Sequence, residues 1–170
     1  MPKTLEIRQL LDCPEKEFWP RIFRSEDFNH YLYEGLGFKY ELQEWNPETG
    51  YRRAKLWPIQ QAPRAIAKVL GERFSYVEEG TFDAEAERYE FRVITSALPD
   101  RIRVSGTVTV EAVSPQQCER RVTLEIGANV LGLGRLIEAY FVAATREEYA
   151  KNAALVNEYL ASGITDSKPG

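Results

Sequence analysis

The sequence predicts an α+β fold. It has an antiparallel β-sheet of about seven strands, two short helices between the first and second strands, and one long C-terminal helix. Three observations predict it. Residues 130 to 160 hold no proline, keep glycine to their first turn and are rich in Ala, Leu, Glu, Arg and Tyr, mostly good helix formers. From Phe38 the hydrophobic period becomes two and stays so for about 90 residues. Ahead of that run, two short stretches open with capping residues and acids.

Composition bounds the reading. The chain has 170 residues, 44% hydrophobic and 12% aromatic, enough for one domain with an aromatic-rich core and too apolar for disorder. Residues 1 to 163 read as that domain and 164 to 170 as a polar tail. The formal charge of −4 gives no support to a nucleic-acid partner, and no basic block points to an anionic membrane surface. Cys13 and Cys118 fit neither a zinc pattern nor a disulfide framework and read as free thiols in a reducing cytoplasm. His30 is the single histidine, which rules out a multi-histidine metal site; no metal and no cofactor is expected. The opening MPKTLEIRQ lacks the apolar region of a signal peptide, and no run approaches the ~20 apolar residues of a membrane span. A cytoplasmic protein is expected. The residues leave its oligomeric state open.

Residues 4 to 11 put Leu5, Ile7 and Leu11 on one side, as in a strand. Asp12 can cap the next element, Pro14 sits early, and Glu15 and Glu17 fill the first turn of a helix whose apolar face is Phe18, Trp19, Ile22 and Phe23. Ser25, Glu26 and Asp27 begin a second helix through Phe28, Tyr31 and Leu32, ended by Gly35 and Gly37. Phe38 to Trp45 and Tyr51 to Pro58 read as a hairpin about the turn Asn46 to Gly50. That register pairs Trp45 with Tyr51, Leu42 with Ala54, Tyr40 with Leu56, Gln43 with Arg53 and Glu41 with Lys55, and sets Glu44 opposite Arg52. Pro58, Pro63 and Gly71 interrupt the pattern around a short helix, Ala65 to Leu70, which is a lid or a crossover. Four strands follow, Phe74 to Phe82, Glu87 to Ser96, Ile102 to Glu111 and Glu119 to Ile126. Their expected partners are Tyr76 with Val93, Phe91 with Val108, Tyr89 with Val110, Val108 with Leu124 and Val110 with Val122. The opposite face carries Arg88, Glu90, Arg92, Arg103, Thr107, Thr109, Arg121, Thr123 and Glu125, so the sheet has one wet and one dry face. The last helix, roughly 30 residues and ~45 Å long, has two apolar stripes. One is Leu133, Ile137, Tyr140, Phe141 and Ala144; the other is Tyr149, Ala153, Val156 and Leu160, expected against the first strand, the short helices or a second copy.

Several local stretches carry a family resemblance. They are Trp45 closing a strand before a turn, the strand Arg53 to Pro58, Tyr76-Val77-Glu78-Glu79-Gly80, Val104-Ser105-Gly106, and Gly132 to Glu138 opening the last helix. With the element order, they make residues 4 to 162 resemble the START-like, or SRPBCC, helix-grip superfamily. They are similar to uncharacterised bacterial members and to VASt sterol-transfer domains. The resemblance implies a curved sheet wrapped round the long helix, an apolar cavity between them, and a lipid, sterol or polyketide as ligand. Fold does not fix function.

The dry face supports that implication independently, although so aromatic a face can also fill its own interior with side chains. Candidate ligand-binding residues are Tyr40, Leu42, Glu44, Arg52, Leu56, Tyr76, Glu78, Phe91, Val93 and Val108 from the sheet, and Ile137, Tyr140, Phe141 and Ala144 from the helix. Gln9 and Thr95 also fall inward by parity. Glu148 continues the helix stripe and is expected in solvent or at a cavity mouth. Tyr140 and Tyr149 lie on different sides, so at most one is expected to face the cavity. His30 reads as a surface residue, and Gly132-Leu133-Gly134 as close packing rather than a dinucleotide fingerprint. The leading function is binding, and transfer, of a hydrophobic small molecule, a lipid or sterol-like ligand, with transient membrane contact. The alternative is a polyketide cyclase or aromatase-like enzyme using Glu78, Tyr76 or the Glu44–Arg52 pair. A protein-binding role for the charged outer face ranks last.

Overall fold

The first strand and the six strands of the period-two run form one antiparallel sheet of seven. They are β1 (Lys3–Leu11), β2 (Lys39–Asn46), β3 (Tyr51–Trp57), β4 (Tyr76–Asp83), β5 (Arg88–Thr95), β6 (Ile102–Ser114) and β7 (Gln117–Ala128). The computed structural model describes residues 2–59 and 61–163, so the expected polar tail lies outside the described residues. The strand order is β1-β7-β6-β5-β4-β3-β2, which puts the first two strands at opposite edges. The short helices between them therefore cross the end of the curved sheet.

The alternation is strict where it counts. Along β3, Arg52, Ala54 and Leu56 are buried while their neighbours are half-exposed; along β7 the same holds for Cys118, Arg120, Val122, Leu124 and Ile126. The β2–β3 register begins as expected, with Tyr40 opposite Leu56, Glu41 opposite Lys55 and Leu42 opposite Ala54. A bulge then intervenes, so Glu44 faces Arg53 and Trp45 faces Arg52. The expected Glu44–Arg52 pair does not form: the extra residue turns Glu44 to solvent while Arg52 stays inside. The later hairpins differ from expectation by two residues each. Tyr76 pairs Thr95, Glu78 pairs Val93, Tyr89 pairs Val108, and Val108 pairs Val122. A slip of two preserves the side-chain face, so the wet and dry sides are those read from sequence.

Helix α1 (Glu15–Glu17) runs into a π-helical stretch (Phe18–Phe23), closed by the Arg24 amide donating to the Trp19 carbonyl at 2.8 Å. Pro20 has no N–H to give to an α-helical ladder, and the wider turn accommodates it. Helix α2 (Glu26–Leu36) is capped by Ser25, whose Oγ accepts from the Phe28 amide at 3.1 Å. Replacing Ser25 with Ala is expected to lower stability by about 1 kcal/mol, read as a shift in the urea midpoint. Gly37 ends α2 in a left-handed conformation (φ 75°). Gly35, expected as a terminator, lies inside α2 instead, where Leu155 packs so close that a Cβ would sit 2.8 Å from its methyl. Helix α3 (Arg64–Leu70) fills the crossover.

The long helix is α4 (Gly134–Ala161), of 28 residues. It starts four residues later than expected, because residues 130 to 133 form turns, with the Gly134 amide on the Val130 carbonyl at 2.8 Å and Gly132 at φ 77°. The buried Glu138 carboxylate accepts from the Ala128 amide at 3.2 Å and ties the first turn to the end of β7. The second stripe is used within the chain. Val156 is fully buried and Tyr149, Ala153 and Leu160 pack against the same core; beside the stripe, Tyr159 sets its ring 5.1 Å from Phe28 and Asn157 holds the end of β1 through the Asp12 amide at 2.9 Å. Cys13 and Cys118 are free and buried, their sulfurs 4.0 Å apart. No helix among the described residues is long and apolar enough to cross a membrane.

Candidate functional site

Between α4 and the dry face of the sheet lies a cavity of about 340 Å³. The sheet supplies Tyr76, Glu78, Phe91, Val93, Thr95, Val104, Leu124 and Ile126, with Phe74 from the segment before β4; the helix supplies Tyr140, Phe141, Ala144, Thr145, Glu148 and Tyr149. Leu36, Phe38, Pro58, Ile59 and Gln61 close one side. The exposed residues on this wall, Ile59, Gln61, Ala143, Glu147 and Lys151, mark the mouth. Phe91 is the pivot of the floor. It stands between Gly80 on β4 and Gly106 on β6, and a Cβ at Gly106 would come within 2.7 Å of the Phe91 ring. Two glycines flanking one aromatic ring let the ring lie flat and leave room above it.

Behind Phe91 is an inner chamber of about 80 Å³, which shares Glu78, Phe91 and Tyr149 with the outer one. Its wall is more polar: Arg52, Arg120, Glu78, Asn29, Tyr33, Tyr89 and Asn152 join Phe18, Ile22, Phe23, Phe28, Leu32 and Val108. Arg52 donates to the Tyr40 hydroxyl at 2.6 Å and lies 3.6 Å from the Glu78 carboxylate. Tyr40 in turn donates to Glu26 at 2.8 Å, and the Tyr89 hydroxyl meets Glu78 at 3.3 Å. Arg120 donates from Nε to the Gln9 amide oxygen at 3.2 Å and stands over the Tyr149 ring, 5.5 Å from its centroid. Gln9 donates onward to the Tyr149 carbonyl at 2.6 Å, so β1, β7 and α4 meet at this residue.

Burial dominates the acid–base character. It raises the Glu78 carboxyl above the usual range although Arg52 and the Tyr89 hydroxyl pull the other way. Glu148 is pushed up to about 7, first by burial and then by the charge of Glu78. The phenols of Tyr33, Tyr76 and Tyr149 are raised, chiefly by burial, and stay protonated at neutral pH. Burial would lower the Arg52 guanidinium, yet Tyr40 and Glu78 hold it above its ordinary value. Arg120 is the opposite case: burial lowers it, and only uncharged or weakly acidic groups, Tyr149 and Cys118 foremost, oppose that.

Seven sequence candidates stand on the outer wall: Tyr76, Glu78, Phe91, Val93, Tyr140, Phe141 and Ala144. Arg52 and Val108 stand on the inner one. Five are off both. Leu56 and Ile137 are packed solid at 1% and 0% exposure, Leu42 lies toward the sheet edge, Glu44 is turned out by the bulge, and Tyr40 sits behind Arg52, stacked 4.7 Å from Tyr33. Glu148 is a cavity residue rather than a solvent one. Tyr140 and Tyr149 both reach the cavity, because it runs along the helix and they are about 13 Å apart on its axis. Thr95 lines the wall and Gln9 steers Arg120. Arg120 is absent from the sequence candidates, although parity with Val122 and Leu124 points it inward.

A curved seven-stranded sheet gripping a long C-terminal helix, with short helices after the first strand, is the helix-grip fold that the sequence resemblance implies. The chain belongs to the family described as a protein of unknown function (DUF2505), whose sequence model matches residues 7–160. No curated protein matches the chain at a significant level. Among solved structures it is similar to Zhui aromatase/cyclase from Streptomyces sp. R1128, with 15% identity over 97% of this chain and 100% of that one and a TM-score of 0.65. TTHA0849 from Thermus thermophilus matches at 15% identity over 95% and 100% of the two chains, TM-score 0.69. Norcoclaurine synthase from Thalictrum flavum, in complex with dopamine and hydroxybenzaldehyde, matches at 12% identity over 97% and 90%, TM-score 0.67. These likenesses establish the fold. They give no support to the link with VASt sterol-transfer domains.

Proposed function

We propose that this protein binds a hydrophobic small molecule, lipid-like in its apolar body, in the outer chamber, and acts as a cytoplasmic binder or carrier. The observation that carries this reading is the chamber itself, an aromatic and aliphatic space of about 340 Å³ with a rimmed mouth. That volume lies within the roughly 300–1,000 Å³ of small-molecule sites. Ile59, 57% exposed at the rim, offers an apolar contact through which such a ligand would pass from a membrane. A neutral fluorescent probe, 1-aminoanthracene, is expected to bind with one-to-one stoichiometry. Ala144→Trp, which fills the chamber from the helix side, is expected to weaken that binding at least tenfold with Tm retained. A wild-type protein that takes up no probe overturns the reading.

A second reading is favoured by one observation, the Glu148 carboxyl held at about 7 beside Tyr76 and Glu78 in an apolar space. Such a group suits proton transfer near neutral pH, the kind of chemistry an aromatase/cyclase-like enzyme performs. It requires turnover of an aromatic or polyketide substrate that follows a group titrating near 7 and disappears in Glu148→Gln while probe binding remains. Full turnover in that variant rejects it.

A further inference from the structure

The two arginines of the inner chamber are not equivalent. Arg52 has a carboxylate opposite it, Glu78 at 3.6 Å. Arg120, 5% exposed, makes no ion pair among the described residues; it has the amide oxygen of Gln9 and the face of Tyr149. The chamber wall therefore carries two cations and one anion, a net formal charge of +1 in a buried space. An isolated buried charge is costly unless something opposes it, and among the described residues no carboxylate pairs with Arg120; the nearest acidic groups are the Tyr149 phenol and the Cys118 thiol. A second observation points to the same place. Asn152, on the same chamber, has a buried amide oxygen with no hydrogen-bond partner among the described residues. A half-turn of that amide would present an N–H donor to the chamber. The inner chamber also abuts the outer one, with Glu78, Phe91 and Tyr149 in both walls.

We propose that the inner chamber is a carboxylate subsite, in which Arg120 receives the head of an amphipathic monocarboxylate whose apolar body fills the outer chamber. This rests on the binding function proposed above and specifies its ligand class. One negative charge balances the +1 of the wall. Gln9 accepts from both Nε and Nη2 of Arg120, which leaves Nη1 and the second Nη2 hydrogen as the fork for a planar carboxylate, and about 80 Å³ admits a head of that size. Gln9, bonded to both Arg120 and the Tyr149 backbone, fixes the guanidinium in place.

The test compares matched acid and alcohol pairs on the full chain. Dodecanoate with dodecanol gives a chain-like body, and 2-naphthoate with 2-naphthol a fused-ring body, each measured by displacement of 1-aminoanthracene at pH 8. At least one acid is expected to bind tenfold or more tightly than its alcohol. The ratio is expected to fall close to one in Arg120→Gln and to stay well above one in Arg120→Lys. Alcohols binding as well as acids in the wild type overturn the carboxylate subsite and leave the binding function standing. No displacement by any of the four overturns both. A ratio unchanged in Arg120→Gln assigns the head elsewhere and rejects the proposal. A co-crystal with 12-bromododecanoate tests it without any variant. The carboxylate is expected within hydrogen-bond reach of Arg120 and the bromine in the outer chamber; the reverse orientation rejects it.

Discussion

Arg52→Met is expected to lower stability by about 3–5 kcal/mol at pH 8, the range for removing one partner of a buried ion pair. Arg52 keeps 8% of its side-chain surface and Glu78 19%, so solvent screens neither charge well. Removing the guanidinium leaves Glu78 with the Tyr89 hydroxyl at 3.3 Å, and leaves the Tyr40 hydroxyl without its buried donor. The cost depends on pH for a stated reason. Burial already raises the Glu78 carboxyl, and Arg52 is the largest force opposing that rise. Without Arg52 the carboxyl holds its proton to higher pH, so the loss is expected to be smaller at pH 5 than at pH 8. The double variant Arg52→Met with Glu78→Leu is expected to recover much of the stability, since apolar side chains of similar size replace a buried pair with little loss. Urea denaturation of the single and double variants at pH 5 and pH 8 measures all four terms. A loss under 1 kcal/mol that does not change with pH would show that the pair is not a desolvated one.

The faces of the sheet are legible in the sequence and its registers are not, for a physical reason. Parity along a strand is set by the pleat, which every residue obeys, so Phe91, Val108 and Leu124 point inward whatever their partners. Register depends on how each turn closes. The β4–β5, β5–β6 and β6–β7 hairpins each settle two residues from the simplest closure, and parity survives that. The bulge between Leu42 and Glu44 is the case parity cannot survive. It carries no local residue signature, and it alone removes Glu44 from the site. The flanking of Phe91 by Gly80 and Gly106 is likewise invisible in sequence, because it exists only across strands. Arg120 differs: its parity is legible, but charged side chains are seldom fully buried, so an alternation traced through apolar positions passes over it. Glu148 shows the limit of a helix-face argument. The stripe places it beside Ala144, and the curvature of the sheet, which no helical periodicity reports, places it inside.

That inward position gives Glu148 a measurable thermodynamic signature. Its carboxyl is raised from an ordinary 4.5 to about 7 in the folded chain, by burial and then by Glu78. Below pH 4.5 the group is protonated in both folded and unfolded chains and costs nothing. Between about 4.5 and 7 the unfolded chain releases the proton while the folded chain keeps it, so stability falls as pH rises. Above 7 the folded group is ionised too, and the full penalty, on the order of 2–3 kcal/mol for a half-buried carboxyl, is constant. Glu78 is raised as well and adds a slope of the same sign, whereas the carboxyls of Glu6 and Glu79, lowered by arginine and tyrosine partners, add the opposite one. The wild-type profile alone therefore mixes contributions, and the difference between wild type and Glu148→Gln isolates this group. The variant is expected to match wild type near pH 4.5 and to exceed it by about 2 kcal/mol at pH 8. Parallel profiles across that range would mean the carboxyl is solvated. At neutral pH the same residue then offers the cavity a proton donor as often as a charge, which an apolar ligand with a carbonyl or hydroxyl tolerates and a second buried carboxylate at the same spot does not.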